Sequence, residues 1–280
     1  MATYVYSAQD TDEYWHDIDA EMLGNVELNG VIGGCALTYS ASDLVVTMGA
    51  GTILSNGTVV QVAADATGVT LSADSTNPRW AIIGLNTSGV MVLVSGTAAA
   101  TPAKPELATI QVPLAMLKVE AGQTIANNVS VKLDKRVPIR SFVIRATANE
   151  TAKNNNDTLV DHSKFKFYMN ASESWSVELV LGVTSNSTAD FKHAWTVQAS
   201  GSAVGMTSTT AAAAILLWIA DGTTATAVPI SGTVEPVITN MTLVNSTTAG
   251  NFVFQWSQNT ATVVDTYPMT GSIMRAYRAT

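Results

Sequence analysis

Residues 174–183 read Ser-Trp-Ser-Val-Glu-Leu-Val-Leu-Gly-Val. Trp175, Val177, Leu179, Leu181 and Val183 occupy every second position. A β-strand gathers such a set on one face, whereas an α-helix scatters it around its surface. The same period recurs on both sides of this stretch. Phe165, Phe167 and Met169 alternate with polar residues before it, and Phe191, Trp195 and Val197, then Phe252, Phe254 and Trp256, follow it. Large side chains on successive strand faces close together as the core of a two-sheet sandwich. Residues 211–220 stay ambiguous, because their four alanines favour a helix while Ile215 to Ile219 suit a buried strand, and their length does not decide.

Toward the amino terminus, residues 31–136 break into short apolar runs at 43–48, 53–54, 59–62, 80–85 and 90–94. Asn56-Gly57 falls between two of them, and a type I′ turn needs positive φ at both central residues, which this dipeptide accepts. Ser88-Gly89 marks a second hairpin. With no amphipathic helix between the runs, this region also reads as an all-β sandwich or barrel. Residues 98–105 contain Pro102 and Pro105 and are expected to form an extended loop. The apolar pattern lapses at Asp134-Lys135-Arg136-Val137-Pro138-Ile139-Arg140. Pro138 cannot donate to a strand ladder, so residues 138–140 read as a junction. Residues 1–28 mix Asp10, Asp12, Glu13, Asp17, Asp19 and Glu21 with Tyr4, Tyr6, Tyr14 and Trp15, and read as an arm carrying a short helix near 11–23. The expected organisation is all-β: an arm at 1–28, one β domain at 29–137, the junction at 138–140, and a second β domain at 141–280.

Composition narrows the function. Hydrophobic residues make up 47% of the chain and charged residues 13%, so Thr, Ser and Asn must cover much of the surface. A formal charge of −8, with no basic run, opposes nucleic-acid binding, which needs clustered Lys and Arg to neutralise phosphates. The single cysteine, Cys35, excludes an intrachain disulfide and is expected to be a buried, inert thiol. No basic-then-apolar leader stands at the start, and the longest apolar run is about half a membrane span. The expectation is a chain made in a cytoplasm and not inserted into a membrane.

Residues that could carry chemistry are scattered. His16, His162 and His193 lack metal-ligand spacing, and His193 shares a strand face with Phe191 and Trp195, as a core-edge histidine would. The acidic arm lacks the glycine-turned loop of a calcium site. Gly30, Gly33 and Gly34 match neither a P-loop nor a dinucleotide fingerprint and read as turn glycines. Asp161, Glu173 and Glu178 have no spacing suggesting a glycosidase pair. Nine Asn-x-Ser/Thr triplets begin at Asn56, Asn86, Asn128, Asn149, Asn156, Asn170, Asn186, Asn240 and Asn245, many of them expected by chance in a chain this rich in Asn, Ser and Thr. Trp80, Trp175, Trp195, Trp218 and Trp256 lie in β-patterned or apolar runs and are expected in cores. No catalytic residue, cofactor-binding residue or metal ligand is assigned, no cofactor is expected, and no receptor-contacting residue can be picked.

Several phrases of the first β domain, in order, resemble the amino-terminal β module of tailed-phage baseplate and tail-fibre proteins. They are Val-Val-Thr-Met-Gly-Ala-Gly-Thr-Ile-Leu-Ser-Asn-Gly at 45–57, Asn-Pro-Arg-Trp-Ala-Ile-Ile-Gly-Leu at 77–85, Gly-Thr-Ala-Ala-Ala-Thr-Pro at 96–102, Val-Pro-Leu-Ala-Met-Leu-Lys-Val at 112–119 and Asp-Lys-Arg at 134–136. Ala81 departs from that pattern, which often places an acidic residue there to pair with the arginine, here Arg79. The second domain resembles carboxy-terminal fibre domains through Thr-Ala-Gly-Asn-Phe-Val-Phe-Gln-Trp-Ser-Gln-Asn at 248–259 and Gly-Ser-Ile-Met-Arg-Ala-Tyr-Arg at 271–278.

The resemblance implies a non-enzymatic virion protein, a tail, baseplate or head fibre or spike. Its arm and first domain would attach to other virion proteins, and a distal jelly-roll-like β-sandwich domain would be displayed. It also implies a homotrimer, with a host surface glycan or protein as an outside partner. Two alternatives stand beside it: a carbohydrate-binding adhesin module of cellular origin, and a polysaccharide depolymerase.

Overall fold

The computed structural model describes residues 29–107, 110–197, 201–209, 215–220, 225–231 and 234–279. The arm expected at 1–28 lies outside them, with Trp15, His16 and the acidic cluster. Among the described residues the chain is all-β, with antiparallel sheets and a single 3-10 turn at Ala126–Asn128. It groups into two compact units. Of the described residues, the first holds those from 29 to 31, Leu37–Gly49 and those within Ile53–Ile139; the second holds Ile32–Ala36, Ala50–Thr52 and those from Arg140 on.

The first ten strands are β1 (Asn29–Gly34), β2 (Leu37–Tyr39), β3 (Val45–Met48), β4 (Gly51–Ser55), β5 (Thr58–Val62), β6 (Asp65–Thr70), β7 (Arg79–Leu85), β8 (Met91–Ser95), β9 (Val112–Val119) and β10 (Val131–Asp134). They form sheets ordered β1-β4-β5, β2-β3-β6 and β10-β9-β7-β8. Asn56 and Gly57 have φ of 49° and 71°, the two left-handed positions that the β4–β5 hairpin requires. At the β7–β8 turn the Asn86 side chain accepts the N–H groups of Ser88 and Val90 at 3.0 Å, and Gly89 takes φ 76°. Ile82, Ile110 and Met116 are buried together, with Trp80 packed half-buried against them. Ala81 is buried, and Arg79 reaches Ser72 Oγ at 3.5 Å.

Eleven strands follow: β11 (Ser141–Arg145), β12 (Val160–Met169), β13 (Ser174–Thr184), β14 (Phe191–Thr196), β15 (Ser202–Thr209), β16 (Ile215–Ala220), β17 (Thr226–Val228), β18 (Val234–Val244), β19 (Gly250–Gln258), β20 (Tyr267–Pro268) and β21 (Ile273–Arg278). One sheet is ordered β11-β21-β13-β18-β15-β16, with the short β20 also on β13; the other is β12-β19-β14-β17. Without β20 and the β15–β16 hairpin, eight strands remain. Counted in chain order, their sheet orders are one-eight-three-six and two-seven-four-five. That winding is the double-sheet jelly roll. The hairpin is an insertion between the fourth and fifth of these strands, and it widens the first sheet at its β18 edge. Residues 215–220 are therefore strand, paired with β15, while the alanines at 211–214 lie outside the described residues.

The period-two reading locates this unit's core. Trp175, Val177, Leu179, Leu181 and Val183 of β13 are buried against Phe165, Phe167 and Met169 of β12 and Phe252, Phe254 and Trp256 of β19. Trp195 stacks on Phe252 at 4.8 Å, and Phe167 meets Trp175 edge-on at 5.2 Å. Each such contact adds about 0.5–1.5 kcal/mol to the area these rings remove from water.

Of the glycines near residue 30, Gly34 takes the φ of 73° that a turn requires, whereas Gly30 and Gly33 differ from the expected turns. Gly30 and Gly33 lie within β1, and a Cβ at Gly33 would stand 2.3 Å from the Tyr168 carbonyl oxygen. Close backbone approach, not turn geometry, requires glycine there. Within the second unit, Ile32–Ala36 and Ala50–Thr52 are held by polar contacts. The Arg278 guanidinium donates to the Ile32 carbonyl at 2.5 Å and pairs with Glu173 at 3.2 Å. Asn170 Oδ1 accepts the Gly34 N–H and Thr52 Oγ1 accepts the Tyr168 N–H, both at 2.9 Å. Glu173 also accepts from the Asn170 and Trp175 side chains, so this buried carboxylate is fully engaged. Cys35, in the same segment, is buried.

Candidate functional site

The two described histidines serve the fold. His193 points into the core from β14, its Nε2 3.1 Å from Thr207 Oγ1, which lies 3.0 Å from Thr239 Oγ1. This chain of polar atoms joins the two sheets. Full burial pushes the His193 pKa down to about 3. His162 sits where the β12–β19 register slips between Asp161 and Lys166. Its Nδ1 accepts the N–H groups of Lys164 and Phe165 at 3.1 and 3.2 Å, and its ring stacks on Phe165 at 4.0 Å. Burial lowers its pKa to about 4, with the Glu150 carboxylate at 3.5 Å acting in the opposite direction. Because Nδ1 accepts twice, the ring proton resides on Nε2. Glu150, His162 and Ser163 are neighbours, yet the Ser163 hydroxyl donates to Glu150 and not to the imidazole. The hydrogen bonds thus run in the wrong direction for histidine to activate that serine.

Asp161, Glu173 and Glu178 are not brought together. Asp161 lies in β12 of one sheet and accepts from Gln255 at 2.7 Å, Glu178 lies in β13 of the other and pairs with Arg275, and Glu173 precedes β13. Glu150, Lys153, Asn154, Asn156, Asp161 and Trp256 border an open cleft of about 450 Å³ beside the segment that leads into β12. Its side chains could hydrogen-bond a polar ligand. Trp256 is fully buried, however, so no indole face is free for a sugar ring to stack upon. Among the described residues, no three His, Cys, Asp or Glu side chains are grouped as a metal site.

The most extended feature is the outer face of the larger sheet. On β18, Val234 is 57% exposed and Val244 45%, and on β15 Val204 is 51% exposed. Across the strands, cross-strand partners form rows: Arg145, Ile273, Val180, Ile238 and Ser208, then Val143, Arg275, Glu178, Asn240 and Met206. The charged side chains of this face, in strands β11, β21, β13, β18 and β15, are Arg145, Arg275 and Glu178, the last two joined at 2.5 Å. Isolated exposed apolar residues are ordinary, whereas here several share one sheet face with few charges among them.

The Asn-x-Ser/Thr triplets have a structural use. Asn86, Asn156 and Asn186 accept the N–H of the residue two places on, as turn-forming asparagines do. Asn245 is buried and donates to the carbonyls of Met169 and Asn170. Of the residues that give this unit its polar organisation, Glu150 and Glu178 stand in no sequence motif, whereas Arg275 and Arg278 fall within the fibre-like phrase at 271–278, which does not name their partners.

The fold and surface define an all-β protein with a jelly-roll unit and a broad, weakly charged sheet face. No family model matches the chain, and no curated protein matches it. Among solved structures it aligns with chains of the infectious bursal disease virus Gx and Gt strains, at 12% and 11% identity. These alignments cover 89% of this chain and 72% and 78% of those chains, at a TM-score of 0.14. At that score they define no shared fold.

Proposed function

We propose that this chain is a structural subunit of a virus particle. The observation that carries the reading is the jelly-roll unit with its broad outer sheet face, which bears an internally paired Arg275–Glu178 and few other charges. Jelly rolls serve in viral capsids and in lectins, so the winding alone does not choose between them. The surface favours assembly. A lectin needs exposed rings and convergent polar groups, whereas Trp175, Trp195 and Trp256 are all taken up by the core here. The sequence phrases at 45–57, 77–85 and 248–259 support the finer reading of a tailed-phage tail, baseplate or head fibre. In that role the first unit attaches to other virion proteins and the second is displayed toward a host glycan or protein.

A carbohydrate-binding module is the second reading, favoured by the polar cleft at Glu150, Asn154 and Asp161. Density-gradient sedimentation of particles from producing cells, with quantitative mass spectrometry across the gradient, separates the two. A virion subunit co-sediments with the major particle proteins at a fixed ratio. A chain confined to the soluble fractions, retained on a glycan array and released by Asp161→Ala, supports the module instead.

A further inference from the structure

The outer face of β11, β21, β13 and β18 has a charge pattern that matches itself. Arg275 of β21 and Glu178 of β13 are cross-strand partners at its centre. In the next row Ile273 faces Val180, flanked by Arg145 on β11 and Ile238 on β18. A two-fold axis lying along the strands between β21 and β13 turns β21 onto β13 of a second copy and β11 onto β18. Arg275 then meets Glu178 of the other copy twice, Ile273 meets Val180 twice, and the rows stay in register. Two sheets stacked this way have nearly aligned strands, the usual packing of sheet on sheet.

We propose that two copies of this chain pair through this face about a two-fold axis, forming an isologous interface. The size suffices. Four strands about 4.8 Å apart and up to about 36 Å long present roughly 500–700 Å² of projected area per copy. The pair then buries roughly 1,000–1,400 Å² in total, above the ~1,000 Å² that a specific interface needs. Charge points to the same occupant. On a chain of formal charge −8, two copies repel through most of their surfaces, and this face carries Arg145, Arg275 and Glu178 instead of a carboxylate excess. Pairing differs from the threefold association that the fibre resemblance implies, and it does not depend on the chain being a virion protein.

The test is solution mass of the full-length chain by sedimentation equilibrium, with a charge swap. The unaltered chain is expected at twice its 29.3 kDa at tens of micromolar. Glu178→Arg alone, or Arg275→Glu alone, sets like charges against each other across the axis and weakens pairing at least about tenfold. An equimolar mixture of these two variants restores the pair, since each cation of one then meets a carboxylate of the other. Should either variant fail to give the wild-type circular dichroism spectrum, Ile238→Arg, placed opposite Arg145 of the other copy, is read in its place and must likewise weaken pairing. Monomer or trimer mass for the unaltered chain overturns the proposal, as does undiminished pairing of the variants or a mixture that stays monomeric. None of these outcomes alters co-sedimentation with particles, so the two proposals fail separately.

Discussion

Mild acid should weaken the second unit through its two buried imidazoles. His162 and His193 have pKa values pushed by burial to about 4 and about 3, whereas an unfolded histidine titrates near 6.5. The native state therefore stays neutral at both sites while the unfolded state gains two protons. Stability from these groups is fully present above pH ~6.5 and is lost as pH falls toward the folded values. At pH ~5 the loss is about 2 kcal/mol for each histidine and about 4 kcal/mol for both. Hydrogen bonds hold the exposed Asp43 and Asp74 carboxyls below the usual carboxylate range, so they stay charged in the folded chain at pH ~5. Urea unfolding followed by tryptophan fluorescence at neutral pH and at pH ~5 reads the effect. His193→Gln, which keeps a partner for Thr207 but cannot titrate, should halve the loss. Equal stability at the two pH values, or an unchanged loss in His193→Gln, would refute the reasoning.

Other substitutions probe other parts of the structure. Trp256→Ala empties a fully buried site and should cost about 3–5 kcal/mol in the same urea assay. A loss well under that range would mean the indole is not core. Arg278→Ala leaves the buried Glu173 without its cation and the Ile32 carbonyl without a donor, at a cost of about 3 kcal/mol or more. Limited proteolysis should then cut faster near residues 32–36. Gly33→Ala has no room against the Tyr168 carbonyl and should lower the melting temperature, whereas a neutral outcome would show that β1 can move away. Gly57→Val removes a left-handed turn residue and should destabilise the β4–β5 hairpin by about 1 kcal/mol or more. A fragment of residues 141–280 lacks Ile32–Ala36 and Ala50–Thr52, so it should be less stable than the second unit within the full chain.

What was legible in the sequence follows the reach of each signal. Period-two alternation at Trp175–Val183, Phe165–Met169 and Phe252–Trp256 exposed the core because burial acts on every second residue of a strand. Asn56-Gly57 announced its hairpin because few other pairs accept two positive φ values. Strand order was not legible, since alternation says which face is buried and nothing about which strand lies alongside. Gly33 misled because close approach to Tyr168 and a turn both select glycine, and only the distant partner distinguishes them. The Glu173–Arg278 pair and the Arg275–Glu178 pair join residues about a hundred positions apart, beyond the reach of any local pattern. The self-matching sheet face was hidden for the same reason: its rows are assembled from β11, β21, β13 and β18, which are not consecutive in the chain.

The proposed role places this jelly-roll chain in a virus particle. Electron microscopy of purified intact particles, decorated with antibody raised against this chain, tests it most directly. Label at regularly repeated positions on the particle surface, removed by competition with the purified chain, is the expected result. Particles that carry no label, while the same antibody detects abundant chain in the soluble fraction of the producing cells, would contradict it.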